Sequence, residues 1–232
     1  MQLFYCPDVL NDACYLNSEE SKHCIKVLRK TEGDLINLID GQGKFYEVLI
    51  TIASQKKVSF TIQKTWREKE SDYSLHIAIA PTKNNDRLEW FLEKATEIGV
   101  AEITPIVCQN SERRIIKHER LMKIILSATK QSLKAKVPKL NPIQTFREFV
   151  SIKQESSCFI AHCKEEDKTY LKNEISTNTI VLIGPEGDFT STEIDLALKQ
   201  KYKAVSLGNS RLRTETAGLV ACNTIALHYE KN

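Results

Sequence analysis

Three side chains near the C-terminus have the types that move protons and hold anions. Glu186 and Glu215 are carboxylates able to accept a proton, and Arg213 is a permanent cation able to steady a developing oxyanion or a phosphate. They stand in two segments, Ile180-Val-Leu-Ile-Gly-Pro-Glu-Gly-Asp-Phe189 and Leu207-Gly-Asn-Ser-Arg-Leu-Arg-Thr-Glu-Thr-Ala217. Gly184, Gly187 and Gly208 would let the main chain approach a ligand closely, with Ile183, Leu207 and Leu212 as apolar walls. A plainer reading exists for each: a glycine can serve a turn that needs positive φ, Glu215 suits the first turn of a helix by its dipole, and Arg213 can simply pair with an acid. The sequence does not choose a general base, and water could serve.

The elements that must position these groups repeat one grammar. The apolar, β-branched run Ile180–Ile183 reads as a strand that stops at a Gly-Pro-x-Gly turn, and Thr190-Ser-Thr-Glu193 supplies a capping box for a helix carrying Ile194, Leu196 and Leu198. Ala204–Leu207 reads as a second strand, followed by a polar loop and a helix that Thr214-x-x-Ala217 opens and that runs to about Tyr229. Loops at the carboxyl ends of strands are where an open α/β sheet builds its ligand crevice. Further strands are expected at Leu75–Ala80, Ile103–Val107 and Cys158–Ala161. Helices fall between them, one carrying Leu88, Phe91, Leu92, Ala95 and Ile98 and ending at Gly99, another carrying Leu121, Ile124, Ile125 and Ala128. The alternation predicts a mainly parallel sheet with helices on both faces.

Ahead of that pattern the chain is β-rich. Asp34–Asp40 and Lys44–Ile52 read as strands joined by Gly-Gln-Gly, and Lys57–Lys64 alternates as a strand with one buried face. Ser18–Arg29 reads as a short helix with Cys24, Ile25 and Leu28 on its apolar side. The polar stretch Trp66–Asp72 reads as a linker, which divides the chain into residues 1–71, a small barrel, and residues 72–232.

Composition removes other classes. With 232 residues, 41% of them hydrophobic, the chain can bury a sizeable core. It has no apolar run near the ~20 residues that span a bilayer and no signal-peptide pattern at its start, so a cytoplasmic location without membrane attachment is expected. The seven cysteines are scattered and read as free thiols; the five histidines show no pairing that implies a metal or a triad. No dinucleotide, Walker, zincin or EF-hand motif occurs. Net charge is only +3, yet Arg113–Lys139 holds nine basic residues against one acid, Glu119, the footprint of a phosphate-rich partner.

Taken with Glu93-x-Ala-Thr-Glu-Ile-Gly-Val100, Gln131-Ser132 with Val137-Pro138, and His23 with Val27-Leu-Arg29, the two C-terminal segments resemble the SPOUT methyltransferases. Within them the chain is similar to the RsmE family, over nearly its whole length. The resemblance implies a PUA-like RNA-binding β-barrel followed by a methyltransferase domain with a C-terminal trefoil knot, a homodimer, S-adenosylmethionine as cofactor and no metal. It also implies methylation of N3 of a uridine in 16S ribosomal RNA of the small ribosomal subunit. On that reading Ile183, Gly184, Gly187, Leu207, Gly208, Leu212, Arg213, Thr214 and Ala217 hold the cofactor, and Arg213, Glu215 and Glu186 are the chemical candidates. His23, Lys26, Arg29, Arg113, Arg114, Lys117, Gln131, Ser132, Lys134 and Lys136 face RNA. Gln2 and Lys26 stand where the family usually has arginine, and Asp188 where it usually has glycine.

Other readings stay open at this point. They are a noncatalytic RNA-binding or assembly protein of the same fold, a SPOUT enzyme acting on ribose 2′-hydroxyls, and a phosphate-binding α/β enzyme. Both intact loops argue against the first, the His23–Arg29 signature against the second, and the charge of Glu186 against the third.

Overall fold

The computed structural model describes residues 2–11, 14–165 and 168–230. It contains two compact units: the chain up to Glu70 together with Leu126–Val137, and Ser71–Ile125 together with Pro138 onward.

The first unit contains a sheet in the order β1 (Leu3–Tyr5), β2 (Leu35–Ile39), β3 (Lys44–Ile52) and β4 (Ser59–Arg67), with α1 (Ser18–Lys22) between β1 and β2 in the chain. β1 runs parallel to β2 and the other pairs are antiparallel. Register shifts at Glu47/Val48 and Ile50/Ile52 bend β3, and Phe4, Leu38, Val48 and Phe60 fill the core beneath it. The Gly41-Gln42-Gly43 turn is built as expected, with Asp40 accepting the backbone N–H groups of Gln42 and Lys44.

Three expectations here need correction. The run Lys57–Lys64 alternates only as far as Phe60: Val58 and Phe60 are buried, but from Thr61 the side chains of the edge strand β4 are mostly exposed. Trp66 and Arg67 belong to that strand, not to a linker, because Trp66 stacks on Phe45 at 5.3 Å. The helix from Ser18 is α-helical only to Lys22; His23–Val27 is a π-turn, closed by Leu28 N–H donating to His23 O. Such single π-turns recur at functional sites.

The second unit contains, in chain order, β5 (Ser74–Ile79), α2 (Asn85–Ile98), β6 (Glu102–Val107), α3 (His118–Gln131), β7 (Lys139–Leu140) and β8 (Gln144–Thr145). Then come α4 (Phe146–Ser151), β9 (Ser157–Ala161), β10 (Thr169–Tyr170), β11 (Asn178–Ile183), α5 (Ser191–Lys199), β12 (Lys203–Ser206) and α6 (Thr214–Tyr229). The C-terminal part of α3 belongs to the first unit. Every strand pair is parallel, in the order β10-β12-β9-β11-β5-β6-β7, with β8 also on β6. β11 is thus inserted between β5 and β9.

On one face Ala78, Ala80, Leu182 and Ile160 pack with Phe146 and Phe149 of α4 and Ile194 and Ala197 of α5. On the other, α6 lies so close that a Cβ on Gly218 would meet the Phe91 ring of α2 at 2.5 Å and Ile79 of β5 at 3.2 Å. Gly99 ends α2 at φ 119°, as its place in the sequence predicts. The Thr190–Glu193 capping box forms, but Leu198 is 42% exposed, and Ala197 takes the buried position on α5. Away from the loops, His76 Nε2 is 2.7 Å from Thr104 Oγ1, and Asn141 Nδ2 donates to both Thr104 Oγ1 and Glu102. Burial holds the His76 imidazole below its ordinary value. At Glu102 burial pushes the carboxyl up, but hydrogen bonds from Asn141 and Lys139 and the nearby His76 outweigh it and leave it lowered.

Candidate active site

Because β12, β9 and β11 are neighbours, the loops leaving their carboxyl ends meet. They enclose a cavity of about 500 Å3. Leu207, Gly208, Leu212 and Ala217 line it, as the sequence predicts. Gly208 sits at φ +139° with nothing within 4 Å of where a Cβ would be, so its backbone is bare toward open space. The loop after β9 lines the cavity too, through Ala161, His162, Cys163, Lys164 and Lys168, as do Asn209, Ser210 and Arg211.

The remaining predicted residues lie around this cavity without lining it. Ile183 is the buried last residue of β11. Gly184 needs no positive φ; it is a close approach, with the Phe189 ring 3.0 Å from a would-be Cβ. Its carbonyl accepts the buried hydroxyl of Thr214 at 3.0 Å, which ties the β11 loop to the start of α6. Gly187 is likewise a close approach, to Asn110, whose side-chain amide donates to the carbonyls of Gly187 and Asp188.

Two of the three chemical candidates lie against the segment that runs from the end of β5 into α2. Glu186 accepts the Lys83 backbone N–H at 2.9 Å. Glu215 is buried, with Arg87 at 3.8 Å from Oε1 and no hydrogen-bond partner for Oε2. Arg213 is exposed at the N-cap of α6 and makes no capping bond. Arg113 donates from Nε to the carbonyls of Thr82 and Lys83 and from Nη2 to Lys83, so it fastens the loop after β5. Arg114 donates to Gln109 O. Lys83, Glu112, Arg113, Arg114 and the 79%-exposed Ile115 line a second, open hollow of about 430 Å3.

Within the first unit, His23 is half-buried edge-on to Phe4, Lys26 is exposed, and Arg29 is exposed at φ +53°. Lys130 pairs with the buried Glu20 of α1 at 2.6 Å, which holds the end of α3 against the helix leading into the π-turn. Beyond it Gln131 is exposed, Ser132 spends its hydroxyl on the carbonyls of Ala128 and Thr129, Lys134 is half-buried and Lys136 is exposed.

A family model described as an RNA methyltransferase domain matches residues 69–226, and one described as an RNA methyltransferase PUA domain matches residues 16–63. The chain belongs to the RNA methyltransferase family. Among the relatives of this methyltransferase, "Ribosomal RNA small subunit methyltransferase E" of Bacillus subtilis is 29% identical, over 93% of this chain and 90% of the relative. The crystal structure of a probable rRNA-methyltransferase from Porphyromonas gingivalis is 39% identical with a TM-score of 0.91, covering 99% of this chain and 100% of that one. A ribosomal RNA small subunit methyltransferase E from Neisseria gonorrhoeae, bound to S-adenosyl methionine, is 27% identical with a TM-score of 0.87, covering 99% and 98%.

The methyltransferase's β9 loop was invisible to motif reading. Cys158–Ala161 is legible as a strand, so residues just beyond it could have been named as crevice residues. Only the strand order shows that β9 runs between the two motif-bearing strands.

Proposed function

We propose that this protein transfers a methyl group from S-adenosylmethionine to N3 of a uridine in 16S ribosomal RNA of the small ribosomal subunit. One observation carries the cofactor part: a cavity at the ends of β9, β11 and β12, with apolar walls from Leu207, Leu212 and Ala217 and bare backbone at Gly208. These residues fit an adenosine, which exposes an apolar base face and hydrogen-bonding edges to main chain. The relative bound to S-adenosyl methionine has the same fold over 99% of this chain, and the small-subunit names of the relatives support the substrate.

The bound cofactor supplies an electrophilic methyl on a sulfonium. The chain's part is to hold it, to place the acceptor in line, and to deal with the proton of a weakly acidic N3. In this reading Leu207–Ala217 and Ile183–Gly187 hold the cofactor. Thr214, through Gly184, keeps those loops in register, and the exposed Arg213 steadies the uracil oxygens or a flanking phosphate. Glu215, with its unpartnered buried oxygen, and Glu186, held by the loop after β5, are the acceptor candidates, and water is the alternative.

RNA would lie along Arg114, Lys117 and the hollow at Ile115 in one unit, and along His23, Lys26, Arg29, Gln131, Lys134 and Lys136 in the other. Residues 1–71 are proposed as the RNA-binding module, and the trefoil knot implied by the resemblance belongs to the same reading. The homodimer implied by the resemblance belongs to that reading too. The setting would be the cytoplasm.

The test incubates the protein with labelled S-adenosylmethionine and undermethylated small subunits and maps the modified nucleoside. Label in N3-methyluridine is the expected result; label on ribose, or none, defeats the reading.

A further inference from the structure

We propose that Asp188 gives the cofactor cavity a preference for charge, favouring the cationic S-adenosylmethionine over the neutral thioether left after methyl transfer. The inference rests on the cofactor reading above and adds a specificity-determining residue to it. Asp188 stands at φ +59°, a conformation that residues other than Gly, Asn and Asp rarely adopt. It is held there from all sides. Its N–H donates to Pro185 O at 2.9 Å and its carbonyl accepts from Asn110. One carboxylate oxygen accepts the Phe189 N–H at 2.8 Å, and the other the Cys163 N–H at 2.8 Å. The last bond joins the β11 loop to the β9 loop, so the carboxylate lies in the wall where two sides of the cavity meet.

The other formal charges among the described lining residues are positive. Lys168 is anchored by donating to the carbonyls of His162 and Lys164, Lys164 bonds the Ser191 hydroxyl, and Arg211 rides on the exposed loop after β12. Asp188 is the one carboxylate among the described lining residues. S-adenosylmethionine carries a net positive charge, from sulfonium and ammonium against one carboxylate. Its sulfonium would be repelled by a wall of cations alone, a repulsion that the thioether product does not feel. The two ligands share the ammonium and carboxylate and differ by the sulfonium charge, so a fixed carboxylate in the wall favours the cationic one. The energy that tells them apart favours release of the product.

Calorimetry on the full chain tests this with three ligands: S-adenosylmethionine, S-adenosylhomocysteine, and an analogue with an ammonium in place of the sulfonium. Asp188→Asn drops the charge and keeps one of the two acceptor oxygens, so the loss of one backbone bond falls on all three ligands alike, and beyond that common loss both cationic ligands should weaken by about five- to tenfold more than the neutral one. Asp188→Gly, which loses both the Cys163 and the Phe189 bonds, should enlarge the loss common to all three, and thermal unfolding near the parent's midpoint establishes that both variants fold. Equal weakening of all three ligands by Asp188→Asn, or no weakening, overturns the charge preference while leaving the cofactor site standing. A parent that binds none of them overturns the cofactor reading and this inference with it.

Discussion

The two motif loops, now part of the cavity beyond β9, β11 and β12, and the cationic segment Arg113–Lys139 were equally conspicuous in the sequence, but the fold treats them in opposite ways. The cavity's wall owes more to main-chain course and strand order than to side-chain type: three loops meet because three parallel strands are adjacent. The cationic segment depends on side chains, and several of its nine charges are already used locally. Arg113 holds two carbonyls and Arg114 a third, Arg120 pairs with Glu89 at 2.6 Å, Lys130 with Glu20 at 2.6 Å, and Lys139 with Glu102 at 3.0 Å. Its members are also divided between the two units. A run of positive charge in a sequence is thus an upper bound on what is offered to a phosphate backbone.

Four experiments would break or sharpen this contrast. The largest effect is expected at Gly208, where a β-branched residue at φ +139° strains the backbone and fills the open side of the cavity. Gly208→Val should weaken S-adenosylmethionine binding by ~30-fold or more, since strain at such a conformation costs ~1–3 kcal/mol before any steric loss. Unchanged affinity by calorimetry would remove the loop from the site.

Next, Arg113→Ala leaves the carbonyls of Thr82 and Lys83 without their donors and should lower the unfolding midpoint, at a cost of ~1–3 kcal/mol. If it altered only RNA affinity and left the midpoint alone, its charge would be on offer after all.

Acid should act through the polar network between β5 and β6. His76 titrates below 6.5 in the folded chain, so the unfolded state binds its proton first as pH falls. The stability His76 contributes is complete above about pH 6.5 and is lost below it. Glu102, lowered from 4.5, contributes stability that is lost further down, as pH falls through its folded value. Urea midpoints of the parent should therefore drop between pH 6.5 and 5, and those of His76→Phe should drop less over the same interval.

The smallest effect is expected from Lys117→Ala, which should leave folding and cofactor binding untouched and reduce the slope of log RNA affinity against log salt by ~1. A slope equal to the parent's would take Lys117 out of the RNA surface.

Much of both units was legible because its signals are local. Lys44–Ile52, the Thr190 capping box, Gly99 and the span Thr214–Tyr229 depend on period, caps and turn chemistry within a dozen residues, and they appear where those signals place them. What escaped was set by distant partners. Trp66 is a strand residue because Phe45 lies beneath it, β4 loses its alternation because it is an edge, and Gly184 is required by a ring five residues on, not by φ. In the candidate site the motif glycines were readable, while the β9 loop was not, since nothing near Ala161 says which strands will flank it. The same holds for Glu186 and Glu215: their type was plain, but their turning toward Lys83 and Arg87 was not.

The insertion of β11 between β5 and β9 also governs how the protein can be assembled in time. β5 pairs with β11 from Ser74↔Asn178 to Ile79↔Ile183, so the middle of the sheet closes only when a strand about a hundred residues downstream arrives. Until then β5 and β9 each present an open row of backbone donors and acceptors, with Ile77 and Phe159 uncovered beside them. Closing so long a loop before any pairing compensates for it makes folding slow and leaves the half-built sheet adhesive to other chains. Refolding should accordingly be slow and sensitive to protein concentration, with loss to aggregates set by the lifetime of that gap rather than by the stability of the finished molecule.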